Sequence, residues 1–199
     1  EESLAGSREE ATRQKATAQQ AVARYDYLAH RVAADGKLIK EPFDFSHKNY
    51  LSVRNLHDIV LRVMVPEAVP EHLRFKLNPA DYALLRQAMG QRPRESDYPR
   101  YDKPDNYVKF WMFGDQPETT AIPDGLRIYN KVGWAYGYLT DAAYVKDEAS
   151  GAEFLLVGTI HVNKNRIFND GVYEYEEIGL PFFGELGRAV LAYERKQRN

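Results

Sequence analysis

Three strand-like segments follow one another in the second half of the chain and constrain its fold more than any other feature. The first runs from Leu126 to Tyr129, the second is an alternating run from Trp134 to Val145, and the third runs from Glu153 to Val162. The residues Glu148-Ala149-Ser150-Gly151 form a turn between the last two, as in a β-hairpin. In the middle run successive side chains alternate between two faces, with Tyr136, Tyr138, Thr140, Ala142 and Tyr144 on one and Ala135, Gly137, Leu139, Asp141, Ala143 and Val145 on the other. These segments predict an antiparallel sheet.

Two helices are predicted before this sheet. The first begins after Ser52, which is in position to cap it, and ends at Pro66, because the residue before a proline is pushed out of the helical conformation. The second begins at Asn78-Pro79, a typical helix start, and ends at Gly90. The segment from Tyr107 to Phe113 fits either a short helix or a strand. The residues expected to face the core are Leu56, Ile59, Val60 and Val63 in the first helix and Tyr82, Leu85 and Met89 in the second.

A final helix is predicted to begin at Pro181. Gly184 and Gly187 would allow it to approach the sheet closely, since glycine has no side chain. Its apolar stripe consists of Phe182, Leu186, Val190 and Tyr193. Helices, then an antiparallel meander, then a closing helix predict an α+β fold in which an antiparallel sheet is flanked by helices.

The first forty residues are predicted to form a separate helical segment. Ser7-Arg8-Glu9-Glu10 fits a capping box, and Gly36 would end the helix in a left-handed conformation. We therefore divide the chain into an N-terminal helical segment, residues 1–40, and a main domain, residues 41–199. The apolar residues of the helix recur at helical spacing and are Ala18, Ala21, Val22, Tyr25, Leu28, Ala29 and Val32.

Composition and spacing argue against several classes of function. The net charge of −2 provides no basic face for nucleic acid, and no apolar run approaches the roughly 20 residues that span a bilayer. The chain has no cysteine, so disulfides, thiolate zinc sites and a cysteine nucleophile are excluded. The histidines form no i, i+4 pair with glutamate, and no glycine-rich phosphate loop is present. We expect neither a metal ion nor a cofactor.

Lys131-Val132-Gly133 stands between the first two strand-like segments. The order strand, Lys-x-Gly, aromatic strand, hairpin and terminal helix resembles the end of the penicillin-recognising serine hydrolases, whose signature is S-x-x-K, S-D-N and K-T-G. Leu51-Ser52-Val53-Arg54-Asn55-Leu56 resembles the helix start after the active-site loop of that family. The resemblance covers roughly residues 49–199 and is greater to β-lactamase-like hydrolases of unassigned substrate than to drug-resistance enzymes. It implies that residues 41–199 are the C-terminal part of a β-lactamase/transpeptidase-like domain.

The resemblance implies catalytic roles for three residues in the acyl-serine hydrolysis of an amide or ester in a carboxylate-bearing substrate. Lys131 would support the substrate carboxylate and the proton network around the serine. Gly133 would let a ligand lie along an edge strand. The backbone N–H of Trp134 would help to form an oxyanion hole, a donor whose removal typically costs about 10²–10³ in turnover. A solvated lysine at a strand end is the alternative interpretation of Lys131.

The chain departs from the family pattern at several points. Val132 replaces the hydroxyl residue of K-T-G, which weakens or alters recognition of β-lactams. S-x-x-K is missing, because Thr12-Arg13-Gln14-Lys15 has the spacing but carries threonine. Ser96-Asp97-Tyr98 matches S-D-N at two positions only, and Glu41-Pro42 lacks the rest of the class A glutamate motif. We therefore expect the nucleophile in a half of the domain that precedes Glu1, and enzymatic activity only together with that half.

A non-catalytic peptide- or glycan-binding domain on the same fold is the alternative function. Its candidate contacts are Tyr98, Tyr101, Tyr136 and Tyr138. The expected partners are a small-molecule or peptide-like substrate and the missing N-terminal half of the domain. Homo-oligomers are also expected, since a sheet without that half exposes an edge and an apolar face. The resemblance implies a periplasmic or secreted location, although the chain shows no signal peptide.

Overall fold

A computed structural model describes residues 30–48 and 51–198. The chain forms two compact units, one made of Glu1–Ser52 and Asn163–Tyr173 and the other of Val53–Val162 and Glu174–Asn199. Most of the predicted N-terminal helix, including its capping box, lies outside the described residues. Among the residues that are described, no helix combines the length and the apolar composition needed to cross a membrane.

The first unit contains a small sheet at the place where the N-terminal helix is predicted to end. β1 (His30–Val32) pairs antiparallel with β2 (Leu38–Ile39) and parallel with β6 (Ile167–Phe168). The helix prediction is therefore wrong over β1, because short apolar runs do not distinguish a helix end from a strand. Gly36 is left-handed as predicted, with a φ of 81°, but it serves the turn between two strands, in which its N–H donates to Ala33 O at 2.9 Å.

The second unit is built on a three-stranded antiparallel sheet. Its strands are β3 (Leu126–Ala135), β4 (Tyr138–Asp147) and β5 (Ala152–His161), in the order β3-β4-β5. The predicted meander, the four-residue turn after β4 and the α+β class are confirmed. Because β4 is central, β3 and β5 are the edge strands of this sheet.

β3 and β4 are joined by a two-residue turn that the sequence pattern does not predict. Tyr136 and Gly137 have φ values of 54° and 81°, as a tight hairpin turn requires, and Ala135 pairs with Tyr138 across them. The predicted continuous middle strand is therefore wrong, because side-chain alternation carries on through the turn residues and conceals it. Lys131-Val132-Gly133 consequently lies within β3 and not at its end.

Helices cover both faces of this sheet. α1 (Val53–Met64) and α2 (Pro79–Gly90) pack on one face, and α3 (Phe110–Phe113) and α4 (Leu180–Arg198) pack on the other. The smaller core lies under α1 and consists of Val60, Val63, Met64 and Ala142. The larger core lies under α3 and α4 and consists of Phe110, Trp111, Met112, Ile122, Leu126, Ile128, Leu139, Ala143, Val145, Phe183 and Leu191.

α1 and α2 occupy the predicted positions. At the start of α2, the Asn78 side chain accepts from the Asp81 N–H and the Asp81 carboxylate accepts from the Asn78 N–H, both at 3.0 Å. This reciprocal capping box fixes the helix start that Asn78-Pro79 predicts. Ile59 and Leu85, predicted to face the core, are more than a third exposed, because the sheet covers a narrower strip of each helix than its apolar residues span.

The buried face of α4 differs from the predicted stripe. Its buried residues are Phe183, Gly184, Gly187 and Leu191, whereas Phe182, Leu186 and Tyr193 are exposed. The two glycines do permit close approach, but to the α3 region and not to the sheet. A Cβ on Gly187 would clash with the Met112 backbone nitrogen. α4 therefore packs through Phe183, Leu191 and its backbone at the two glycines, and not through the predicted apolar stripe.

Candidate functional site

The edge of β3 that faces away from β4 presents backbone groups at alternate residues. In a two-residue hairpin the pair that closes the turn is hydrogen-bonded, and hydrogen-bonded and non-hydrogen-bonded pairs then alternate along the strands. Ala135 and Tyr138 close this turn, so the N–H and C=O groups of Gly133 and Lys131 point toward β4. The groups that point outward belong to the alternate residues Leu126, Ile128, Asn130, Val132 and Trp134.

Two cationic side chains occupy the first two outward carbonyls. Arg92 donates from Nη2 to Leu126 O at 3.1 Å, and Lys109 donates from Nζ to Ile128 O at 2.9 Å. Both side chains are almost completely buried. These contacts confirm which carbonyls point outward, and they close the first half of the β3 edge as far as Ile128.

The three candidate residues lie on the second half of the strand and are all exposed. Lys131 Nζ donates to the neighbouring Val132 O at 2.5 Å. A Cβ on Gly133 would meet nothing nearer than Thr140 Cβ at 3.7 Å, so packing within the protein does not require glycine at this position. The strand alternation places the Lys131 side chain on the α1 and α2 face and the Trp134 side chain on the α3 and α4 face.

The Trp134 ring packs against two other aromatic rings, whereas the Trp134 backbone groups point outward from the edge of β3. The residue is 51% exposed, and its ring contacts Phe110 at a centroid distance of 5.8 Å and Tyr175 at 5.1 Å. The Tyr175 hydroxyl accepts from the Gly137 N–H at 2.7 Å. The hairpin turn and the Trp134 ring are therefore tied to the same tyrosine.

A buried polar network lies directly behind the candidate residues. Asn130 Oδ1 accepts from Lys109 Nζ at 2.8 Å, and Asn130 Nδ2 donates to Asp141 Oδ1 at 2.9 Å and to Val108 O at 2.8 Å. Asp141 Oδ2 accepts from the backbone N–H groups of Phe110 and Trp111 at 3.2 and 3.3 Å. Lys109 also donates to a carbonyl of α2 at 2.9 Å. Each buried charge thus has several hydrogen-bond partners, as burial requires.

Burial shifts the titration of both charged members of this network. Burial raises the pKa of Asp141 to about 7, against the lowering effect of its hydrogen bonds and of Lys109. Burial likewise lowers the pKa of Lys109 to about 8, against the opposing attraction of Asp141. Near neutral pH, a small change in proton concentration therefore alters the charge behind β3.

The raised pKa of Asp141 predicts a pH-dependent stability. An unfolded aspartate has a pKa of about 3.9, so between about pH 4 and pH 7 the folded protein retains a proton that the unfolded chain releases. The stability contributed by Asp141 is complete below pH 4 and is lost as the pH rises through 7. We expect the unfolding free energy of the wild type, relative to Asp141→Asn, to fall by roughly 2–4 kcal/mol between pH 4 and pH 7.5.

Urea unfolding of both proteins across that pH range measures this difference. Asp102→Asn, at an exposed aspartate, is the control and should track the wild type. A constant difference between wild type and Asp141→Asn at every pH would show that Asp141 does not titrate in this range.

Two clefts on the second unit lie apart from the candidate residues. One, of about 470 Å³, includes Arg86, Glu95 and Arg127 in its lining, and the other, of about 650 Å³, is lined by α1 and β5. Arg127 donates to Glu95 at 2.7 Å, so charge within the first cleft is largely compensated. Lys131, Gly133 and Trp134 line neither of these clefts.

The structure describes two of the three other motifs found in the sequence. Ser96 donates from its hydroxyl to Pro99 O at 2.8 Å, so this serine forms a hydrogen bond within its own loop. Glu41 is exposed, and the Thr12-Arg13-Gln14-Lys15 segment lies outside the described residues. Within residues 30–48 and 51–198, no group of three or more potential metal ligands comes together.

The network was not predicted, although the sequence carries a signal for it. Asp141 is the charged member of the face that also carries Leu139, Ala143 and Val145, and Lys109 interrupts the apolar run from Tyr107 to Phe113. A charge on a buried face requires a partner. The partner lies 32 residues away in sequence, which spacing alone does not indicate.

Comparison of the chain with protein-family models, with curated proteins and with solved structures found no match.

Proposed function

We propose that this chain supplies the substrate-binding edge of a β-lactamase-like serine hydrolase whose nucleophilic serine lies in a segment outside this sequence. The reaction is the hydrolysis of an amide or ester in a carboxylate-bearing substrate through a covalent acyl-serine. The observation that supports it best is the placement of Lys131-Val132-Gly133 and Trp134 in sequence on the exposed half of an edge strand. The periplasmic or secreted location and the missing half of the domain belong to the same proposal.

Each candidate group has a chemical task in that reaction. When the serine oxygen adds to the substrate carbonyl, negative charge develops on the carbonyl oxygen, and an outward-pointing N–H at Trp134 is a fixed donor for it. The Lys131 ammonium attracts the substrate carboxylate. An exposed Gly133 leaves room for an acyl chain beside the strand. Because the edge is closed as far as Ile128, an extended substrate has only the outward groups of Asn130, Val132 and Trp134 to pair with, and at Val132 O it would replace the hydrogen bond from Lys131 Nζ.

The test is acylation of a longer protein in which a segment with S-x-x-K precedes Glu1. We expect a fluorescent penicillin or a small ester to label the serine. Lys131→Ala should lower the labelling rate by about 10²-fold or more and change the unfolding free energy by less than about 0.5 kcal/mol, because the side chain is exposed.

Lys146→Ala is the matched control, since Lys146 is a partly exposed lysine of the same sheet that pairs with Glu153 at 3.1 Å. It should leave the labelling rate unchanged. Absence of both label and ester hydrolysis in a protein with an intact S-x-x-K would contradict the proposal.

A peptide- or glycan-binding domain is the second candidate, and the exposure of loop tyrosines favours it. Tyr98 is 94% exposed and Tyr101 is 53% exposed, and aromatic rings with accessible faces are suited to stacking on sugars or peptides. Saturable binding of a soluble oligosaccharide or peptide that Tyr98→Ala abolishes and Lys131→Ala does not would favour this function over the hydrolase.

A further inference from the structure

The Asn130 side chain joins the buried network to the exposed half of β3. Its amide is fixed at three points, by Lys109, Asp141 and the Val108 carbonyl, at distances of 2.8 to 2.9 Å. Asn130 immediately precedes Lys131 in the strand. Any displacement of the Asn130 backbone therefore displaces the candidate lysine directly.

The same network reaches Trp134 through α3. Asp141 holds the backbone N–H of Phe110, and the Phe110 ring packs edge-on against the Trp134 ring. Phe110 is itself buried against Phe183 at 5.9 Å. Both residues with a chemical task in the proposed site are therefore linked to the network. Lys131 is bonded to Asn130 along the chain, and Trp134 contacts Phe110, whose N–H donates to Asp141.

The backbone of the segment that contributes to the network is strained. Val108 and Met112 have φ values of 53° and 68°, in the left-handed region that branched and bulky residues rarely adopt. Strain of this kind persists only where the surroundings impose it, and it concentrates at functional sites. Here it brings the N–H groups of Phe110 and Trp111 onto one carboxylate oxygen.

Fold stability alone does not account for this arrangement. A buried charge pair is often no more stabilising than apolar residues of the same volume, because desolvation offsets the attraction. Within β3 the network contacts only Ile128 O and Asn130, both in the stretch that precedes Lys131, and it joins this stretch to the α3 region and to α2.

We propose that Lys109, Asn130 and Asp141 are positioning residues that hold the β3 edge from Lys131 to Trp134 in the geometry needed to bind a substrate. They touch no substrate themselves. This inference rests on the proposed function for its biological meaning, but its physical content concerns the present chain and is measurable without activity.

The test is amide hydrogen exchange of this chain, residue by residue, at neutral pH. The N–H groups of Lys131 and Gly133 point toward β4 and report on the β3–β4 pairing. In Lys109→Met and Asp141→Asn we expect their exchange to accelerate by about tenfold or more. The amides of Phe154 and Leu156, which pair with β4 from the other side, should stay within about twofold of the wild type.

Lys146→Met is the control and should change neither set of amides. If Lys109→Met does not fold, Asp141→Asn still decides the question, because it preserves the shape of the side chain. Equal acceleration at all four amides would indicate a general loss of stability and would overturn the positioning role, as would unchanged exchange at Lys131 and Gly133.

The outcome is separable from that of the acylation test. Local acceleration with no acyl label in the longer protein would retain the mechanical link and refute the hydrolase. In a longer protein that does take the label, Asp141→Asn should slow labelling while an intact fold is retained. Normal labelling in that variant would overturn the positioning role and leave the hydrolase standing.

Discussion

Asp141→Ala is expected to lower the unfolding free energy by about 3–5 kcal/mol, because removing one charge of a buried hydrogen-bonded network leaves its partners unsatisfied. The substitution takes an acceptor from the Asn130 amide and from the backbone N–H groups of Phe110 and Trp111. It also removes the largest electrostatic attraction that favours the charged form of Lys109, whose side chain is 4% exposed. Chemical denaturation followed by circular dichroism measures the loss.

A double-mutant cycle separates the uncompensated charge from the missing contacts. Adding Lys109→Met to Asp141→Ala should cost less than the sum of the two single substitutions, because the stranded ammonium is then gone. Asp102→Ala, at an exposed aspartate, should change stability by less than about 0.5 kcal/mol. Strict additivity of the two buried substitutions would contradict the electrostatic coupling.

Phe183→Ala is expected to cost about 3–5 kcal/mol, the range observed when a fully buried aromatic side chain is removed. Phe183 has no exposed surface and contacts the rings of Trp111 at 4.5 Å and Phe110 at 5.9 Å. The cavity would lie between α4, α3 and the sheet, where glycine-lined packing leaves little freedom for collapse. Thermal and denaturant unfolding measure the loss.

Phe182→Ala provides a matched control for that substitution. Phe182 is the adjacent residue of the same helix, and it is 39% exposed. Its removal should cost about 1 kcal/mol or less, because less apolar surface returns to water. Equal losses at the two positions would show that the exposed stripe, and not the glycine-lined face, carries the packing of α4.

The elements that depend on local signals were predictable from the sequence. Proline and asparagine fix the start of α2, and the four-residue turn after Asp147 fixes the β4–β5 hairpin. The Tyr136–Gly137 turn was missed because a tyrosine at positive φ is not a usual turn signal. The face of α4 was missed because its buried residues include two glycines, Gly184 and Gly187, which add no apolar side chain to the helical pattern.

The candidate site also contains features that local sequence signals do not indicate. The sequence pattern placed Lys131-Val132-Gly133 between two strands and Trp134 at the start of the second, whereas all of these residues lie in β3. The network behind them joins Lys109 to Asn130 and Asp141, across separations of 21 and 32 residues. Such pairings arise only when the chain folds, so no local pattern encodes them.

The contrasting environments of the two tryptophans supply an optical probe. Trp111 is 1% exposed, whereas Trp134 is 51% exposed at the rim of the β3 edge. Iodide quenches indole fluorescence by collision and does not penetrate a packed interior. It is therefore expected to quench the fluorescence of Trp134 and not that of Trp111. The share of fluorescence that resists iodide therefore measures how much of the rim is covered, in the native protein and without any attached dye.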